Sequence, residues 1–157
     1  MKKTERIAEF VSELGVHSGN GSNPYLTGYF ECFNSGRYYE AHDVLEDLWL
    51  RQGKEHPDYA FHKGLIQLAG GFVHLRLQHL YPEHPKHGRR LAPARRLLLL
   101  AAGNLRPYPP DHLGVDVVMA LRLAEETAAA IGKMAEQNNP LVSIIPRLSG
   151  MGFQERR

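Results

Sequence analysis

His42, Glu46 and Trp49 are the residues whose types and spacing point most directly to chemistry. They lie in the run Phe33-Asn34-Ser35-Gly36-Arg37-Tyr38-Tyr39-Glu40-Ala41-His42-Asp43-Val44-Leu45-Glu46-Asp47-Leu48-Trp49, at steps of four and three residues. On a helix such steps bring side chains onto neighbouring surface. An imidazole and a carboxylate one turn apart suit a metal ligand pair, and they equally suit an ordinary helix pair. Around the helix they fall just beyond the apolar stripe Ala41, Val44, Leu45 and Leu48, at the half-dry boundary where pockets form. Tyr39 and Trp49 are the expected pocket walls. Glu40, Asp43 and Asp47 fall further toward water and read as solvated or capping residues.

A second polar set lies on the longest apolar segment, about residues 58–78. Phe61, Leu65, Leu68, Ala69, Phe72 and Val73 cover most of that helix, so it should be central and largely buried. Lys63, Gln67, Gly70, Gly71, His74 and Gln78 form the remaining strip. Burying such groups unpaired is costly, and glycines inside a helix need a packing reason. Packing the strip against the His42/Glu46 edge would answer both.

Two chemistries then stand open. In one, His42, Glu46 and His74 ligate a divalent ion (Zn, Mn or Ni) with an open position, and the ion makes its bound water nucleophilic. Glu46, Lys63 and Gln67 would carry catalysis, with Gln67 orienting substrate or water and Lys63 stabilising a developing anion. In the other, no metal binds. The same residues form a paired network that fixes helix register in a non-enzymatic ligand-binding or oligomerisation module.

The elements that must position these residues read as helices. Ile7, Phe10, Val11 and Leu14 mark one over residues 4–14, with Gly15 as its stop and Val16 to Ser22 as a loop holding a solvated His17. Asn23-Pro24 caps and opens another, which ends near Asn34-Ser35-Gly36. Helices follow over 37–51, 58–78, 89–103 and, behind Asp116 as N-cap, 117–137. No alternation supports a sheet and no repeat is visible. The expected fold is all-α, a single-domain irregular bundle of five to six helices, with Pro140 to Arg157 as an irregular docked tail.

At 157 residues, 43% hydrophobic and 23% charged, the chain fits one soluble domain. No apolar run is long enough for a membrane span, and the start Met1-Lys2-Lys3-Thr4-Glu5-Arg6 is unlike a signal peptide. The lone Cys32 reads as a buried hydrophobe, which suits a reducing cytoplasm. A formal charge of +2 gives no reason to expect nucleic acid. Lys86, Arg89, Arg90, Arg95 and Arg96 read as a solvated helix face, because no stacking aromatics interleave with them. The prolines beside His79, His84 and His87 point to a solvated loop.

The run from Phe33 through Trp49, the segment Lys63-Gly64-Leu65-Ile66-Gln67-Leu68-Ala69 with His74, and Gly114-Val115-Asp116 together closely resemble the bacterial and archaeal family called domain of unknown function 309, over about residues 25–137. The resemblance implies an all-helical domain, and the family's label of predicted metal-dependent hydrolase implies an enzyme acting on an unidentified small substrate. Asp43 stands where the family often has Glu, a change that keeps the charge. The His/Pro loop and the tail lie outside the similar region.

Overall fold

Side-chain caps and a glycine turn set the helix starts at Pro24 and Val117 and the helix junction at Gly36. The computed structural model describes residues 2–17 and 23–137. Among the described residues there are six α-helices, α1 (Lys3–His17), α2 (Pro24–Asn34), α3 (Tyr38–Gln52), α4 (Tyr59–Leu80), α5 (Leu91–Leu105) and α6 (Val117–Gln137), with a short 3-10 turn over His87–Arg89. Pro24 opens α2 and the Asn23 side chain accepts from the Tyr25 N–H at 2.9 Å, so the first helical position has no amide to satisfy and the second is capped. At the other end Gly36 takes a φ of +77°, which costs glycine little. Arg37 N–H then reaches Cys32 O and Gly36 N–H reaches Phe33 O, a Schellman closure that turns the chain straight into α3. Asp116 caps α6 through its side chain to the Met119 N–H at 3.0 Å.

The fold is all-α, with three departures from expectation. Helix α1 runs through Gly15 to His17 instead of stopping, because glycine weakens a helix without forbidding it. A two-stranded antiparallel hairpin, β1 (Asp111–His112) and β2 (Val115–Asp116), precedes α6. Its two-residue turn has positive φ at both Leu113 (52°) and Gly114 (80°), the mirror-image geometry that matches strand twist. So short a hairpin gives no alternation to read. The expected tail over Pro140–Arg157 lies outside the described residues.

Helix α4 is central as expected, with Phe61, Leu65, Leu68, Ala69, Phe72 and Leu75 buried. It lies antiparallel to α3, with Tyr38 against Phe72 at one end and Trp49 stacked on Tyr59 at the other. Phe33 adds an edge-to-face contact with Phe72, centroids 5.5 Å apart, which joins α2 to the same core.

The third departure concerns the polar strip of α4, which faces α5 and not α3. A Cβ on Gly71 would stand 2.8 Å from Leu98 Cγ, and one on Gly64 2.9 Å from Leu105 Cγ. The missing side chains let α5 settle against the strip, and Asn104 Nδ2 donates to Gln67 Oε1 at 2.7 Å. Gly71→Ala should therefore lower stability by about 1–3 kcal/mol in spite of its better helix propensity. Gly103, in α5, has nothing within 4 Å of a built Cβ. Gly103→Ala should raise stability by up to about 1 kcal/mol. Urea unfolding of both variants checks this pair; a neutral Gly71→Ala would show that glycine does not set the α4–α5 distance.

Candidate metal centre

The first two turns of α3 start directly after the Schellman turn, so Tyr39, Glu40, His42, Asp43 and Glu46 are placed by backbone that cannot slide. Arg76 of α4 reinforces it by donating to Gly36 O at 3.0 Å. His42, Asp43 and Glu46 each offer one ligand atom, all within 4.8 Å of one another, and all three are half-buried. His42 Nδ1 lies 3.1 Å from Asp43 Oδ1, and Nε2 lies 3.6 Å from Glu46 Oε2. Asp43 was expected to point to water; α1, docked alongside, instead encloses it on its outer flank.

That helix supplies the group the sequence pattern did not reveal. Lys3 Nζ sits 3.1 Å from Asp43 Oδ1 and 3.7 Å from Glu46 Oε1. The Asp43 hydrogen bond raises the Lys3 pKa above its ordinary value against an opposing effect of burial, with Asp43, Glu46 and Tyr39 adding electrostatic support. The partners are about 40 positions apart in sequence, and no local spacing signals them.

Beside Asp43 opens a groove of about 370 Å³ lined by Lys3, Arg6, Ile7, Phe10, Cys32, Arg37, Tyr39, Glu40, Asp43 and Val44. Its cations are Lys3, Arg6 and Arg37, its apolar floor Ile7, Phe10 and Val44. Tyr39, 65% exposed, is one of its walls. Trp49 is not, since it stacks on Tyr59 two turns further along α3.

The other expected site residues are not brought together with these. His74 Nδ1 accepts from Arg90 Nη1 at 2.9 Å, and no group of three possible metal ligands among the described residues includes it. Gln67 is committed to Asn104, and Lys63 Nζ lies 5.9 Å from the centre of the Tyr59 ring. The physical reason is the α4–α5 contact, which turns the strip carrying Lys63, Gln67 and His74 away from the His42 edge.

A second titratable cluster was not anticipated. Asp58, just before α4, has Oδ1 2.6 Å from His112 Nε2 and Oδ2 3.9 Å from His56 Nδ1. The hairpin carries His112 across to it, and Tyr108 OH anchors the approach by donating to Pro57 O at 2.9 Å. One turn into α4, His62 is 1% exposed and neither ring nitrogen has a partner. Only its place on a buried face, unreadable from the residue type, could have marked it.

With six helices and this geometry in hand, the chain is an all-helical protein with a half-exposed His/carboxylate group at a groove mouth. Residues 26–81 match the sequence model of the family described as domain of unknown function (DUF309), so the stretch from α2 through α4 is similar to that family. No curated protein and no solved structure matches the chain. No helix among the described residues is long and apolar enough to cross a membrane.

Burial pushes the His62 pKa down to about 4, partly offset by the Asp58 carboxylate and reinforced by His56 and His112. The folded state thus favours the neutral ring, while the unfolded chain takes up the proton near pH 6.5. Stability should be unaffected by this group above that pH and fall on acidification toward pH 4, by roughly 3 kcal/mol. His62→Leu should remove that part of the pH dependence. Chemical denaturation of both proteins from pH 7 to 4 measures it; parallel curves would mean that His62 does not titrate in isolation.

Proposed function

We propose that this protein is a divalent-metal-dependent hydrolase, with His42, Asp43 and Glu46 as the metal ligands and the α1–α3 groove as the seat of a small substrate. The observation that carries this reading is the set of three ligand atoms within 4.8 Å on neighbouring turns of one helix. One imidazole and two carboxylates make an oxygen-rich donor set, which suits Mn²⁺ or Zn²⁺ better than Ni²⁺. A metal there would supply a Lewis acid and a water acidic enough to ionise near neutral pH. The groove supports a substrate with an apolar body on Ile7 and Phe10 and an anionic group toward Arg6 and Arg37. Tyr39 shields one side. The buried, unpaired Cys32 fits a reducing cytoplasm.

Lys3 favours a second reading, a structural one. Its ammonium already bridges both carboxylates, so it could serve as the clasp that holds α1 to α3 without any ion. The two readings differ in one measurable way, since a bound metal must compete with Lys3 for Asp43 and Glu46.

Calorimetric titration of chelator-stripped protein with Mn²⁺ and Zn²⁺ checks this, together with hydrolysis of chromogenic ester, amide and phosphoester substrates. Wild type should bind one ion. His42→Ala and Glu46→Gln should each lower affinity at least tenfold and abolish metal-stimulated turnover, while Lys3→Ala should bind the ion several-fold more tightly. A wild type that binds neither ion, or a Lys3→Ala that only loses thermal stability, leaves the clasp as the function of this cluster.

A further inference from the structure

The corner where α4 ends and α5 begins is tied together by side-chain hydrogen bonds. Gln78, in the last turns of α4, donates through Nε2 to Gly88 O at 2.6 Å and accepts through Oε1 from the Arg90 backbone N–H at 2.7 Å. This fixes the backbone of Arg90 against α4. The guanidinium is held as well, by Nε donating to His87 Nδ1 and Nη1 to His74 Nδ1, both at 2.9 Å.

Because a guanidinium only donates, both Nδ1 atoms must be acceptors, and each neutral ring then carries its proton on Nε2. His84 follows the same rule. Its Nδ1 accepts from the Lys86 and His87 backbone N–H groups, and its ring stacks on His87 at 4.4 Å. All three imidazoles therefore carry an N–H, and not a lone pair, on Nε2, and two of them hold one arginine whose Nη2 makes no hydrogen bond among the described residues. Burial, then Arg90 and Arg96, lower the His74 pKa, which keeps that ring neutral.

Cations predominate around this cluster, with Glu83 of the same loop as the one carboxylate near it in sequence. Lys86, Arg89, Arg90 and Arg96 surround the first turn of α5, that turn contains no acidic residue, and none of these cations is seen paired with a carboxylate among the described residues. Cations at a helix N-terminus oppose the helix dipole, so the arrangement is unfavourable until an anion joins it.

We propose that this corner binds a phosphate dianion, either inorganic phosphate or the terminal group of a small phosphomonoester. A phosphate has only acceptors to offer, matching a cluster that presents only donors, and its double charge answers several unpaired cations. Arg90 is the central contact, with His74 and His87 both orienting it and donating beside it. The site shares no residue with His42, Asp43 and Glu46, and it lies outside residues 26–81, apart from His74 and Gln78. It stands whether or not the metal reading does.

Titration of the full chain with inorganic phosphate, followed by the ¹⁵N shifts of the histidine ring nitrogens, tests this. Chloride at matched ionic strength serves as control, and glycerol phosphate, a short oligonucleotide and anionic vesicles as the other arms. Saturable phosphate binding that shifts His74 and His87, and that weakens at least tenfold in Arg90→Gln, supports the site. Arg96→Gln, on the exposed face of α5, should weaken it several-fold with an unchanged melting temperature, which covers the case of a poorly folded Arg90→Gln. Glycerol phosphate binding as well as phosphate places the site on a phosphomonoester; phosphate alone places it on the free ion. No saturation beyond the chloride control, equal affinity in both variants, or binding confined to oligonucleotide or vesicles overturns the proposal.

Discussion

Gly64 and Gly71 let two helices come closer than any other residue would allow, and the partners of Gln67, His74 and Gln78 on α4 follow from that contact. Leu98 and Leu105 fill the space where side chains on those glycines would stand. Once α5 occupies that face, the polar strip beside the glycines must find its partners on α5 and the loop before it. Gln67 takes Asn104, Gln78 takes Gly88 and Arg90, and His74 takes Arg90. An unpaired polar group in such a place costs more than a made bond returns, so these pairings are obligatory once the helices meet.

The consequence for chemistry is a division of labour between helices. With His74 committed to α5, the group on α3 has to complete itself locally, and it does so with Asp43 and, from α1, Lys3. In the structure the ammonium of Lys3 bridges the two carboxylates beside His42. The groove beside it mixes Lys3, Arg6 and Arg37 with the carboxylates Glu40 and Asp43 over an apolar floor.

Much of the fold was legible because its signals are local. Asn23-Pro24, Ser35-Gly36 and Asp116 each act within a few residues, and the structure uses all of them as caps or stops. The apolar wheel of residues 58–78 also foretold a buried central helix. What the wheel could not tell is which neighbour covers which strip, because periodicity describes one helix and packing involves two. That is why His74 was expected beside His42. The hairpin escaped notice for a different reason: it has two residues per strand and a turn with Leu113 at positive φ, a conformation its residue type does not advertise. Lys3 and Asp58 reach their partners from far along the sequence, where spacing carries no information. The family model matches residues 26–81, which hold the Phe33–Trp49 run and the Lys63–Ala69 segment with His74 but not Gly114-Val115-Asp116.

The account turns on which histidine shares a ligand with His42's neighbours. Crystals grown with Mn²⁺ and measured for anomalous scattering would show it directly. The account predicts a peak within coordination distance of His42, Asp43 and Glu46, with Lys3 displaced and His74 still bonded to Arg90. A peak ligated by His74 together with His42, or one lodged instead among His56, Asp58 and His112, would contradict it.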